Sequence, residues 1–251
     1  EQRSRARAPL PLRRIGRRCY TPPMCGRYAL DAPRSRLSRH FALDQCVELA
    51  ARYNIAPATD VAVIRQSPGG QRVAHLLRWG LLPHWAKDPA LAARLINARG
   101  ESLSDKPAFR DAFRKRRCLI PASGFYEWQA IAAPAGPARK QPFYSSLQSG
   151  EVMAFGGLWE AWTAPDGEVV RSCCIVTTAA NEGLRAIHPR MPLIVARQHW
   201  QAWLSAPADE AGDLIRPCPD GDLQSWPVSP RVGKVSEDDP ALITALREEE
   251  T

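Results

Sequence analysis

Apolar and polar positions along this chain change period every few residues, and each change marks a predicted element. Residues 34–43 fit a short helix, whereas "VAVIR" (61–65) and "QRVAHLLRWG" (71–80) read as strands around a Ser-Pro-Gly-Gly turn. Phe109 and Phe113, four apart, put one apolar face on a helix over 106–117. "RCLIPASGFYEWQ" (117–129) is strand-like and "AIAAPAGPARKQ" (130–141) reads as a Pro/Ala loop. "QPFYSSLQSGEVMAFGGLWEAW" (141–162) reads as a hairpin turning near Ser149-Gly150. "VRSCCIVTTAA" (170–180) is a further strand, followed by a short helix over 181–187 that Pro189 stops. Helices near 197–205 and 238–249 complete the expectation. Strands and helices mix without regular alternation, which predicts one α+β domain built on a largely antiparallel, barrel-like sheet with peripheral helices.

Composition changes this picture in two places. With 251 residues and 45% hydrophobic content, the chain can bury one sizeable core. No apolar run reaches the length of about 18 residues that a membrane span needs. The formal charge is +8, but residues 1–24 hold seven arginines against a single acid, Glu1. The remainder carries 27 basic and 25 acidic residues, or +2, so local arginines must carry any case for nucleic acid. The extension over 1–24 is Arg/Pro-rich and aperiodic. A transit peptide, a removable propeptide, and translation that begins at Met24 each account for it; where the extension is made, it is expected to be disordered or removed. Residues 25–251 then form the domain, with a helical tail. The seven cysteines contain no C-x-x-C pair, so neither a disulfide framework nor a zinc site fits, and a reducing compartment does. Cys173 and Cys174 should point to opposite faces of their strand.

Several polar residues sit in unusual company. Asn97 follows an apolar pair in "LINARGE" (95–101), where a helix cap is the ordinary explanation. Glu127 stands between Tyr126 and Trp128 and, in a strand, shares a face with Phe125 and Gln129. A solvated edge position is the ordinary account, whereas a carboxylate walled by aromatics would have a raised pKa and could move protons. His188 precedes a Pro stop at a helix end, where imidazolium helps the dipole.

"MCGRYAL", "RYNIAPAT" (52–59), "WGLLPHWAK" (79–87), "LINARGE", "RRCLIPASGFYEWQ" and "IHPRMP" together resemble, in order and rough spacing, the SRAP family of SOS-response-associated peptidases, or abasic-site processing proteins. The resemblance runs from Met24 to about residue 205. It implies that Cys25 is the catalytic cysteine and becomes the chain terminus. A terminal cysteine offers a thiol and an amine two carbons apart, which can close a five-membered thiazolidine on an aldehyde. Its α-amine has a pKa of roughly 7.7–8.0 against about 10.4 for lysine, so near pH 7 far more of it is neutral.

The resemblance further implies that Asn97 holds the adduct, that Glu127 shuttles protons, and that His188 helps open the sugar ring. Arg27 and Arg99 would grip phosphates, and Trp85 and Pro57 would line the DNA path. Asn54 reads as a structural turn residue. The implied partner is single-stranded DNA containing abasic sites, bound by a monomer without cofactor or metal, in the cytoplasm at the nucleoid. A cysteine peptidase, acting on other proteins or only on its own N-terminus, and a non-catalytic single-strand binder are the competing classes. This chain departs from the family's habit at His84, where a second tryptophan is common, and at Pro107 after Lys106, where some relatives use arginine.

Overall fold

A computed structural model describes residues 26–131 and 139–246; Cys25 and the extension before it lie outside these. The first half of the chain forms β1 (Tyr28–Leu30), helix α1 (Arg34–Phe41), β2 (Arg52–Ile55), β3 (Asp60–Gln66), β4 (Arg72–Trp79) and β5 (Asn97–Arg99). Helix α2 (Arg110–Lys115), β6 (Arg117–Ala122), β7 (Gly124–Ile131), β8 (Arg139–Leu147), β9 (Met153–Thr163) and β10 (Val169–Ala179) follow. The chain continues through α3 (Glu182–Arg185), β11 (Arg190–Pro192), α4 (Trp200–Ser205), α5 (Ala208–Gly212) and β12 (Leu223–Pro227).

Five strands close on themselves. β10 pairs with β4, β4 with β3, β3 with β6, β6 with β9, and β9 returns to β10. Among the named strands of the described residues, only the β10 pairings with β4 and β5 are parallel. The register sorts side chains into two faces all the way round. Leu193 and Trp203 press on Gly156 from outside, so Gly156 and its partner Leu119 mark the outer face. Val63, Leu77, Cys118, Phe155 and Cys173 point inward and fill the lumen, each burial contributing about 1.5–3 kcal/mol for the larger apolar groups. Cys173 and Cys174 take opposite faces.

A second sheet, in the order β12-β8-β7-β1-β2, lies over one mouth of this barrel. Tyr28 and Phe125 enter that mouth edge-on, Tyr28 against Trp79 at 5.4 Å and both residues against Phe155. The architecture is therefore α+β and barrel-like, but with two sheets. The single strand expected over 117–129 breaks at Ser123 and changes sheet there. Ser123 hydrogen-bonds the amide and carboxylate of Asp31, and Gly124 is needed because a Cβ would fall 2.2 Å from the Tyr144 ring.

Other expectations need correcting. The stretch 141–162 does turn near Ser149-Gly150, but it is not a hairpin: β8 pairs with β7 and β12, while β9 pairs with β6 and β10. The loop over 130–141 is shorter than its composition suggests, since strand extends to Ile131 and resumes at Arg139; residues 132–138 lie outside the described set. In place of a helix over 238–249, only a 3-10 turn forms at Pro240–Ile243. Asp238 accepts from the Tyr53 and Asn54 amides and Leu246 N donates to Pro227 O, bonds that hold the segment extended; residues 247–249 lie outside the described set.

Candidate active site

The end of β10 organises the site. Along one edge it pairs with β5, Asn97 opposite Ile175 and Arg99 opposite Thr177. Along the other it pairs with β11, Arg190 opposite Ala179. Asn97 is therefore a strand residue and not a helix cap; the cap of this region is Asn181, whose side chain accepts from Leu184 N at 3.1 Å. Arg190 ties the two edges together. Its guanidinium binds both carboxylate oxygens of Glu101 and donates to Thr177 O at 2.8 Å. That hydrogen-bonded partner holds the Glu101 carboxyl below its ordinary range.

His188 follows α3, its amide donating to Leu184 O at 2.9 Å, and it is buried. Its Nδ1 lies 3.2 Å from the Arg190 amide and 3.1 Å from the Arg190 carbonyl, so backbone fixes the ring. Desolvation, opposed by the Arg190 hydrogen bond and reinforced by the charges of Arg190 and Lys140, lowers its pKa. Its surroundings therefore favour the neutral imidazole.

The second sheet brings in Glu127. Only 3% exposed, it is no solvated edge residue. It lies on the same face as Phe125, which packs on Phe155, so that face looks at the barrel. Tyr126 N donates to Arg27 O at 3.0 Å, continuing the β1–β7 register and setting Gly26 across from Glu127. Gln129, two residues on, donates to Ala186 O at 3.0 Å and ties β7 to the turn that carries His188. Glu127 and His188 are thus joined through one strand, and Asn97 and Arg99 through β10.

The residues expected to contact DNA separate. Arg99 is exposed. Arg27 is not presented to solvent in the same way: it donates to Asn54 Oδ1 at 2.8 Å and to the carbonyls of Val232 and Gly233. Asn54, 1% exposed, lies within β2 and donates to the carbonyls of Val232, Lys234 and Glu237, so it is structural without being a turn residue. Pro57 is half-buried in the turn between β2 and β3.

Trp85 is 48% exposed on an excursion that leaves the barrel wall after β4. Gly80 starts it with φ +134, where a Cβ would fall 2.8 Å from Ala92 O. Alternate residues from Leu82 to Ala86 are then fastened to the outer wall. Ser172 Oγ accepts from Leu82 N at 2.8 Å, Glu160 accepts from His84 N at 3.1 Å, and Trp162 Nε1 donates to Ala86 O at 2.7 Å. Glu160 also meets the His84 ring at 3.2 Å and forms an ion pair with Arg116. Trp85, Lys87, Leu91 and Arg94 are left lining a cleft of 400 Å³. A larger cavity of 790 Å³ near His40, Met153 and Cys218 holds none of these residues and is remote from the site's chemistry.

Sequence reasoning gave no role to Arg190, Glu101 or Glu160. The first two stand inside quoted motifs, so their charge was the available signal; Glu160 gave none. The five described cysteines are free thiols. Burial pushes Cys118 and Cys173 well up and Cys218 up to about 12, leaving them poor nucleophiles. No group of three or more metal-ligating side chains occurs among the described residues, and no described helix is long and apolar enough to cross a membrane.

A closed barrel capped by a second sheet, with the buried Glu127 set across from Gly26 and a buried imidazole in the turn tied to the same strand, defines a small α+β protein with a candidate active site. The chain belongs to the SOS response associated peptidase (SRAP) family, whose family model matches residues 24–235. It is similar to the abasic site processing protein YoqW of Bacillus subtilis, 36% identical over 226 residues that cover 88% of this chain and 99% of the relative. It is also similar to abasic site processing protein HMCES of Rattus norvegicus, 28% identical over 271 residues, covering 88% of this chain and 75% of that protein. A solved protein from Bordetella bronchiseptica shares the fold with a TM-score of 0.69 at 28% identity, covering 82% of this chain and 100% of that one. A Bacteroides thetaiotaomicron protein, at 21% identity and a TM-score of 0.78, supports the fold alone; it covers 89% of this chain and 100% of its own.

Proposed function

We propose that this chain, beginning at Cys25, caps abasic sites in single-stranded DNA as a covalent thiazolidine and so shields them from strand cleavage. The observation that carries the reading is the buried Glu127 carboxylate standing across from Gly26, the residue that follows Cys25. The names of the relatives point to the same substrate.

The chemistry runs in two steps. The neutral α-amine adds to the sugar aldehyde, and loss of water leaves an imine. The thiol sulfur then adds to the imine carbon, forming a C–S bond, while the thiol proton reaches the nitrogen. Glu127 takes and returns that proton in both directions. His188 assists at the ring oxygen when the sugar opens, and Asn97 holds the closed adduct. Closing the ring removes the imine that would otherwise drive β-elimination, so lyase activity is minor. Arg99 contacts phosphate, Trp85 and Pro57 line the strand, and Arg27 acts chiefly by holding β1 against the C-terminal segment.

The family's description as a peptidase supports a second reading, in which the Cys25 thiol and His188 cleave the bond ahead of Cys25 or other peptides. Acetylating the α-amine of protein that starts at Cys25 separates the classes. Loss of crosslinking with DNA affinity retained is the expected result. Crosslinking that survives acetylation would overturn the thiazolidine, and peptide cleavage that survives would favour the peptidase.

A further inference from the structure

The barrel mouth farthest from Thr177 carries charge that the proposed chemistry does not use. In register, Val63 faces His75 and Arg65 faces Val73, while Cys173 faces Trp159 and Arg171 faces Ala161. Arg65, His75, Trp159 and Arg171 therefore share the inward face, at the end where β3 and β9 finish and β4 and β10 begin. Trp159 fills the lumen there, and the Arg65 guanidinium lies over its ring at 4.2 Å.

Three basic side chains meet at this mouth without an acid. None of them forms an ion pair within the described residues, although Arg116, Arg190 and Arg231 all do. Stacking on Trp159 satisfies the face of the Arg65 guanidinium but not its edge: Nε is buried and donates to nothing described. Burial lowers the pKa of Arg65 and of His75, and the neighbouring charge of Arg171 lowers both further. Half-buried like charges and an unmet donor are unfavourable unless an anion offsets them. Arg171 remains exposed, so the mouth is open to a ligand from solvent.

We propose that this mouth is a phosphate-binding site, with Arg65, His75 and Arg171 as its donors. Thr177 lies six residues along β10 from Arg171, about 20 Å of strand, so the site is distinct from the candidate active site and does not depend on the lesion chemistry. Its phosphate belongs either to a nucleic-acid strand running down the barrel wall or to a small phosphorylated molecule.

Two measurements on the full chain test this. Inorganic phosphate is titrated while the His75 imidazole is followed by NMR, in the wild type and in Arg171→Ala, an exposed change that spares the fold. Expected is a saturable shift of His75, with its titration midpoint moving upward, and binding at least about fivefold weaker in the variant. No saturable response, or the same response in both proteins, would overturn the site. The second measurement is the salt dependence of affinity for an intact single strand without a lesion. A slope shallower by about 0.7 in Arg171→Ala, the value of one phosphate on a single strand, assigns the site to the strand. An unchanged slope with phosphate binding kept assigns it to a small phosphorylated molecule. Crosslinking to an abasic strand is scored separately, so its failure would reject the functional reading and leave this one standing.

Discussion

Glu127 and His188 differ in how their surroundings can be tested. Glu127 is buried on the barrel-facing side of β7, so replacing its carboxylate by an amide preserves shape but removes proton exchange. Glu127→Gln should therefore slow adduct formation and reversal together by about 10²–10⁴-fold, the range for a positioned acid–base. Affinity for an uncleavable abasic analogue should be little changed. Equal rates in variant and wild type would reduce Glu127 to a packing residue. His188 reports through stability. Its folded pKa lies below the ordinary value because burial opposes the cation, whereas in the unfolded chain it takes a proton below about 6.5. The unfolded state thus binds more protons on acidification. The stability His188 contributes is complete above about pH 6.5 and declines as pH falls through the folded value. His75 has the same sign. A urea-denaturation series from pH 8 to 5 should show stability falling with acid, less steeply in His188→Gln; identical slopes would mean that His188 is not buried as a neutral ring.

At the scale of elements, the excursion over 80–96 is the part most exposed to a single substitution. Trp162 holds it by one indole hydrogen bond to Ala86 O, both residues being buried. Trp162→Phe leaves that carbonyl unmet and should cost about 1–3 kcal/mol, read from urea midpoints. DNA affinity should fall because Trp85 is no longer held outward, while the crosslinking rate at saturating DNA stays near wild type. A rate that drops with affinity unchanged would place the excursion in the chemistry instead. This fastening also shows what the sequence could and could not reveal. Short apolar runs such as "VAVIR" and the Ser-Pro-Gly-Gly turn carry local information, and β3 and β4 formed where they were expected. Partner choice is not local: β8 and β9 adjoin a good turn yet enter different sheets, because each finds a longer register elsewhere. Asn97 read as a cap because three residues of strand have no period to detect; only pairing with β10 makes them a strand. The site was legible as a set of motifs, since chemistry-bearing residue types recur in short strings. Its mutual geometry was not, because the Arg190–Glu101 and Gln129–Ala186 links join segments 89 and 57 residues apart.

Across the whole molecule the two described ends meet. Arg27 and Asn54 bind the carbonyls of 232–237, so the segment just after Cys25 is anchored by the C-terminal stretch. Charge is divided just as sharply, with seven arginines in residues 1–24 and a net +2 in the rest. Those two facts predict opposite behaviour for two forms of the protein. A form beginning at Cys25 offers DNA only a few free cations, among them Arg99, Lys87 and Arg94, which are exposed. At about −0.7 per phosphate on single strands, its log affinity should fall with log salt at a slope shallower than about −5. A form retaining residues 1–24 should bind more tightly at low salt and with a steeper slope, because the added arginines release more counterions. Yet it should not crosslink, since its Cys25 nitrogen is an amide and cannot form the imine. Binding and chemistry would then respond to the extension in opposite directions. Salt titrations by fluorescence anisotropy, run beside denaturing gels of the abasic adduct, read both. A stable crosslink from protein shown by intact mass to keep residues 1–24 would sink the terminal-cysteine mechanism, and a slope steeper than about −5 for the shorter form would mean many more phosphate contacts than these cations supply.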